Sequence, residues 1–375
     1  MKALVAIDSF KGALSSLDAG SAAAKGIARA CSAQVQVCAV ADGGEGSVDA
    51  LAAHKQGHFQ PFACLNAFHQ PIEVNVFLFE EAGVRCAALE AASVFGLHDH
   101  AVSARTVEET STFGLGILMK ALIEANVQRL LFFLGGTITT DAGLGMLQGL
   151  GAILCDEKGH VLASTTNPLL SFDHWDAASL QQVRERCAQL EIIVACDVNA
   201  PLYGKTGCAM VYAPQKGATP RQQQLLDRKL RRLEEVSGMD LMQEGCGAGG
   251  GCGAGMRLLG ARLTSGFALL SESLSLADQI AAADIVVTGE GGVNAQSLQG
   301  KLPVCVAQLA HQAGKPVLAL CGQKEIDAAL SAQFDGIFSI QQGVSTLKEA
   351  IDHTAEHLEE SAYQLFRLIC RIAHE

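Results

Sequence analysis

The stretch LLFFLGGTITTDAGLGMLQGLGA, residues 130–152, decides the fold class. Five apolar residues, 130–134, stop abruptly at Gly135-Gly136. That is the pattern of a short strand buried on both faces. Thr137, Thr139 and Thr140 then offer hydroxyls and Asp141 a carboxylate, before an apolar run from Leu144 that predicts a helix of small residues. A strand, a glycine turn and a helix N-terminus make an anion site. Glycine admits a phosphate close to the backbone, and the unpaired first-turn N–H groups point at it. The structural alternative is a tight strand–helix turn that Asp141 caps. The chain repeats the device elsewhere, and the repetition favours the anion site.

Upstream, residues 3–7 read as a buried strand ending in Asp8-Ser9-Phe10-Lys11-Gly12, with helical spacing over 19–30. Residues 35–40 form the next strand, ended by Ala41-Asp42-Gly43-Gly44-Glu45-Gly46 before a helix over 47–53. Two successive strand–acid–loop–helix units imply a parallel sheet with right-handed crossovers. Ligands collect at the carboxyl ends of such strands. Residues 59–65, 72–79 and 84–90 are β-rich and closely spaced, which predicts antiparallel pairing and a second domain inserted in the first. A helix is expected over 107–125.

Downstream, 191–196 is a strand running into Asp197-Val198-Asn199-Ala200-Pro201, and 220–236 a polar helix. A strand over 283–288 ends in Gly289-Glu290-Gly291-Gly292, and 316–320 and 336–340 resume the alternation. Helices are expected over 304–312 and 346–372. The first domain is therefore discontinuous, residues 1–60 with 275–375, and 61–274 is the insert.

At 375 residues the chain exceeds one ordinary core, in keeping with two domains. Aromatics are only 5% against 49% hydrophobic residues, so Ala, Leu, Val and Ile must fill the interior. A formal net charge of −12 argues against a nucleic-acid surface, which needs clustered Lys and Arg, though a local anion site can still be positive. Met1-Lys2 leads into an apolar run too short for a signal peptide, and no stretch of about 20 apolar residues occurs, so a cytoplasmic protein without membrane contact is expected. The 13 cysteines form no CxxC pair, so most read as small buried hydrophobes rather than metal ligands.

Gly204-Lys205-Thr206 fails as a P-loop because residue 199 is Asn where the first glycine belongs. Gly245, Gly247 and Gly250 satisfy GxGxxG, but residues 240–244 make a poor strand, so a nicotinamide-dependent oxidoreductase is a weak reading. The collective pattern is stronger. Asp8, Asp42, Glu45, Asp197 and Glu290 lie at or just past strand ends, Asp141 before a helix, and Lys11, Lys216 and Lys301 nearby. Carboxylates and lysines beside glycines suit Mg²⁺, a base for an alcohol and clamps for phosphate, the parts of phosphoryl transfer.

The blocks DSFKGALS (8–15), ADGGEG (41–46), GGTITTDAGLGM (135–146), ACDVNAPLYG (195–204), PQKGA (214–218), GAGGG (247–251) and TGEGGVNAQSLQGKLP (288–303) occur in this order. In that order they resemble type I glycerate kinases, over essentially the whole chain. The resemblance implies two α/β domains, a parallel-sheet Rossmann/flavodoxin-like domain with a second α/β domain inserted, and a site in the cleft. It implies ATP- and Mg²⁺-dependent phosphorylation of D-glycerate, commonly to 2-phosphoglycerate.

On this reading Asp197 orients or deprotonates the acceptor hydroxyl, with Lys11 and Asp8 beside it in catalysis. Asp42, Glu45, Gly135, Gly136, Thr137, Asp141, Asn199, Gly247, Gly249, Glu290, Gln296 and Lys301 hold substrate or phosphate, and Asp197 and Glu290 the metal. The family usually reads GEGRxD, whereas Gly292 and Asn294 stand here in place of the arginine and aspartate. Thr140 also replaces a usual asparagine, and Thr106-Val107 a common Asn-Pro. Losing an arginine removes a bidentate clamp. A kinase-fold protein that binds with reduced turnover, or takes a different hydroxy acid, is therefore the alternative.

Overall fold

The computed structural model describes residues 1–97, 101–196, 198–294, 297–298, 300–325 and 328–372. Two compact units emerge, one of Met1–Asp42, Asp49–Lys55 and Phe267–Glu375, the other of Gly43–Val48 and Gln56–Gly266. The first opens with β1 (Lys2–Ile7) and β2 (Gln34–Val37). The second carries β3 (Gly57–Leu65), β4 (Pro71–Glu81), β5 (Val84–Glu90), β6 (Arg129–Leu134), β7 (Leu154–Cys155), β8 (His174–Trp175), β9 (Glu191–Cys196) and β10 (Arg262–Ser265). The chain then returns to the first unit with β11 (Ile285–Val293), β12 (Val317–Lys324) and β13 (Gly336–Ser339).

The first unit's sheet is wholly parallel, ordered β13-β12-β11-β1-β2. Connections run outward in opposite directions from the β11–β1 junction, so that junction is the switch point where open α/β sheets leave a crevice. Helix Ser16–Ala30 starts where the Ser15 hydroxyl accepts from the Asp18 N–H at 3.1 Å. It packs an Ala/Gly face, because a Cβ on Gly26 would sit 2.0 Å from the Glu359 carbonyl oxygen of the C-terminal helix. Ala19, Ala23, Ile27, Leu358 and Phe366 fill that core with Val5 and Ile7. Cys31 and Cys370 form a disulfide there, and the other described cysteines are thiols, nearly all buried.

Two sequence expectations change in this unit. The helix expected over 346–372 is two, Leu347–Asp352 and Thr354–Ile372. At the break, the Thr354 hydroxyl donates to the carbonyls of Ala350 and Ile351, side-chain bonding that competes with the helical ladder. The strand expected to stop at Thr288 continues through the glycines, with Gly289 opposite Leu320 and Gly292 opposite Gln323. A Cβ on Gly289 would lie 1.9 Å from the Leu320 carbonyl oxygen, so this glycine allows a close strand approach rather than a turn.

The second unit's sheet is ordered β10-β9-β6-β5-β4-β3. β3, β4 and β5 pair antiparallel as their spacing predicts, and β5, β6, β9 and β10 are parallel. Pro61 is tolerated because β3 is an edge strand. β6, the apolar run of the deciding stretch, lies between β5 and β9 with residues 130–134 buried. The helix expected over 107–125 is divided into Ala104–Glu109 and Phe113–Glu124. Thr112 lies at the division because its N–H and hydroxyl both donate to the Asp141 carboxylate, at 2.7 and 2.8 Å. Among the described residues no helix is long and apolar enough to cross a membrane.

Candidate active site

The first unit holds a cavity of about 670 Å³ along the carboxyl edge of its sheet. Asp8 and Lys11 follow β1, Asp42 follows β2, Glu290 lies on β11, and Lys301 precedes helix Leu302–Gln312; all five line it. The switch point thus gathers three carboxylates and two ammonium groups. Glu290 is buried, accepting from the Ser297 hydroxyl at 2.9 Å and meeting the Lys301 Nζ at 3.5 Å. It therefore orients a lysine as well as lining the cavity.

Burial pushes the Asp8 carboxyl up to about 7, and the neighbouring Asp42 and Glu290 carboxylates act in the same direction. The Ser9 N–H, donating to Asp8 Oδ1 at 2.7 Å, and Lys11 oppose them. Glu290 is also raised, chiefly by burial, against the opposing charge of Lys301 and the Ser297 bond. A site that holds a carboxyl near neutrality beside other carboxylates is arranged for a proton or a cation.

The second unit holds a smaller cavity of about 120 Å³ between the loops after β6 and the glycine run 245–251. Gly135, Gly136, Thr137, Gly249 and Gly250 form much of its lining, with Lys216. Lys216 is 3% exposed, and its Nζ donates to the Thr137 hydroxyl at 3.0 Å and the Thr139 carbonyl at 2.8 Å. Gly249, Gly250 and Gly251 are successively left-handed. A Cβ on Gly250 would sit 2.0 Å from the Thr139 carbonyl oxygen, so only glycine fits. Lys216 is the sole charged side chain among these lining residues.

The anion device expected in residues 130–152 is built differently. Helix Leu144–Leu150 begins well past Gly135-Gly136, and its N-terminal donors are already occupied. Asp141 accepts from the N–H groups of Gly143 and Gly145, each at 3.2 Å, and Thr112 Oγ1 from that of Met146 at 2.9 Å. Asp141 is fully buried; the chain supplies its own anion to this helix, and the expected ligand role of Asp141 gives way to capping. Gly247 is likewise a packing residue, since a Cβ there would lie 2.3 Å from the Pro201 carbonyl oxygen.

Of the other residues singled out in the sequence, Asp8, Lys11, Asp42, Glu290 and Lys301 share one cavity, and Gly135, Gly136, Thr137 and Gly249 the other. Glu45 and Asn199 are exposed and line neither. Asp197 and Gln296 lie outside the described residues. Lys216 stood out in sequence only as one lysine among three, because nothing in PQKGA marks a buried ammonium. The GxGxxG run follows an irregular segment rather than a strand, so the dinucleotide fingerprint is not formed. Gly204-Lys205-Thr206 is a turn, its Lys205 and Thr206 exposed.

Parallel strands with acids and lysines at a switch point, and a glycine cradle with a buried lysine, suit an α/β enzyme of the phosphotransferase class. A family model described as the glycerate kinase family matches residues 3–370. The chain belongs to that family. It is 33% identical to a glycerate kinase of Haemophilus influenzae, covering 98% of this chain and 99% of that one. It is 33% identical to a glycerate 2-kinase of Escherichia coli, covering 93% of each. A crystal structure from Salmonella typhimurium LT2, of a protein provisionally named glycerate kinase 2, superposes with a TM-score of 0.86 at 31% identity over 100% of both chains.

Proposed function

We propose that the chain transfers the terminal phosphoryl group of ATP to a hydroxyl of D-glycerate, giving 2-phosphoglycerate. The observation that carries this reading is the shared cavity of Asp8, Lys11, Asp42, Glu290 and Lys301 in a member of the glycerate kinase family. Lys11 and Lys301 clamp anionic oxygens, and Asp8 acts in the same cavity. Asp197 keeps the role the family resemblance gives it, orienting the acceptor hydroxyl. In the second unit, Lys216 and the loops at Gly136 and Gly249 hold a compact anionic group.

Among the described residues no three side chains are grouped to chelate a metal unaided. Magnesium commonly takes one or two carboxylates and completes its shell with water and substrate phosphates. Asp8 and Asp42 fit that demand, since a cation between them would offset the burial that chiefly raises Asp8 and the Asp42 charge that adds to it. The ion would neutralise phosphate charge. Purified chain with ATP, Mg²⁺ and D-glycerate should release ADP, and a chelator should stop it. No ADP above background across small hydroxy acids would remove the kinase reading.

The family's arginine and aspartate are Gly292 and Asn294 here. Gly292 lines the large cavity, and a Cβ there meets nothing within 4 Å, so a side chain can start at this position without a clash. The double change Gly292→Arg with Asn294→Asp is expected to raise kcat for D-glycerate by about tenfold, roughly 1.4 kcal/mol of barrier. Unchanged steady-state kinetics beside a vigorous parent would show both departures to be harmless. The same two residues motivate a second reading, a protein that binds glycerate or nucleotide without efficient turnover. Calorimetry detecting affinity where no ADP forms would select it.

A further inference from the structure

The large cavity of the first unit has an end that the carboxylates and lysines leave unexplained. Its lining follows the carboxyl edge of the sheet from Asp42 after β2, past β1, β11 and β12, to Gln341 after β13. From β1 to β13 is three strand spacings, about 14 Å at about 4.8 Å each. All five ionisable lining residues belong to the first part of this path, ending at Lys301. The β13 end is uncharged instead, with Val344, Leu347 and Ile351 set among Ser345, Thr346 and Thr354, and with the Gln341 carboxamide also lining the cavity.

Val344 is fully exposed and Leu347 is 78% exposed, and both line this one cavity. They make no contribution to the core of the unit, so folding alone gives no reason for their position. Gln341 adds a second, independent observation. Its side-chain oxygen is buried and has no hydrogen-bond partner, so nothing within the fold fixes the orientation of the carboxamide. A half-turn about the terminal bond presents either its acceptor or its donors to a neighbouring ring edge.

Resting on the kinase reading above, we infer that the β13 end of this cavity is the base subsite of the nucleotide. A purine lies against Val344, Leu347 and Ile351, with its polar edge at Gln341, and its phosphates run along the sheet edge towards Lys301 and Lys11. A flat ring with hydrogen-bonding edges suits an uncharged wall of aliphatic side chains edged by hydroxyls and one unpinned amide. The phosphates need the cations that only the opposite part of the cavity supplies. Asp8 and Asp42 then lie at the phosphate end, where magnesium accompanies nucleotide phosphates.

The test separates base from phosphate. Calorimetric titrations of the full chain with ADP and with pyrophosphate, both with Mg²⁺, are compared for the parent and for Val344→Ser with Leu347→Ser. Both residues are exposed, and neutral serines leave the field at the phosphates unaltered. The Kd for ADP is expected to rise at least tenfold and that for pyrophosphate to stay within twofold. Gln341→Leu should follow the same pattern with a smaller change. ADP affinity indifferent to the serine pair would overturn the inference, as would equal losses for ADP and pyrophosphate. A changed sedimentation coefficient with unchanged ADP affinity would make the patch a contact between copies and equally overturn it. The two levels fail separately. A chain without turnover that still loses ADP affinity in this way keeps its base subsite and loses the kinase reading; an active kinase indifferent to the serine pair does the reverse.

Discussion

Replacing Lys216 by methionine is expected to lower kcat/KM for D-glycerate phosphorylation by about 10²–10³, equal to roughly 2.7–4 kcal/mol of lost transition-state stabilisation. Lys216 puts a full charge, 3% exposed, in the wall of a cavity of about 120 Å³ whose other lining residues are uncharged. That volume suits one carboxylate or phosphoryl group. Methionine keeps the length and the apolar stem, so the change removes charge with little change in volume. The bonds to Thr137 and Thr139 are lost as well, and a hydrogen bond from a charged donor is worth about 1.5–3 kcal/mol, so some stability is lost with the rate.

The melting temperature should fall as well, so the rates are compared at a temperature where parent and variant are both folded. Lys216→Arg retains the charge but not the compact geometry and should recover part of the rate. A methionine variant with parental kcat/KM would show that this ammonium only braces the loop at Thr137 and Thr139. A variant that loses activity and fold together would also assign the lysine a structural role.

The sequence carried most of the architecture and only some of the site. Apolar runs such as 130–134 and 191–196 announce two-sided burial in a parallel sheet, and they form β6 and β9. The β-rich spacing over 59–90 announced antiparallel pairing too, since short turns permit no crossover. Asp8, Asp42 and Glu290 were legible as a group because strand ends in such a sheet converge on one edge. What the sequence hid depended on partners far along the chain. The division at residues 110–112 follows from a carboxylate at 141, and local propensity contains nothing of it. The glycines after Thr288 have turn composition, yet they form a strand because β12 approaches them closely. Lys216 has the composition of a solvated loop lysine; only the tertiary fold makes it buried.

Asp141→Ala is expected to cost roughly 3–5 kcal/mol of stability, because several buried donors lose their acceptor at about 1–3 kcal/mol each before relaxation. Four donors converge on this carboxylate: the Thr112 N–H and hydroxyl, and the N–H groups of Gly143 and Gly145. Alanine would leave all four without that acceptor in a fully buried place, and each unsatisfied donor costs about 1–3 kcal/mol before relaxation. Collapse cannot readily repair the gap, because a Cβ on Gly145 would already lie 2.0 Å from Ser111 Oγ. Burial raises the Asp141 pKa against the pull of these donors, so the desolvation of the charge exceeds their combined help. Asn keeps one acceptor oxygen but turns an NH₂ towards N–H donors, and about 2 kcal/mol is expected for Asp141→Asn. The single tryptophan, Trp175, belongs to the same unit as Asp141, so its fluorescence in urea reports the relevant transition. The midpoint should fall in the order parent, Asn, Ala, with the slope unchanged. An alanine variant with a parental urea midpoint but no activity would return Asp141 to the ligand role that its place before a helix first implied.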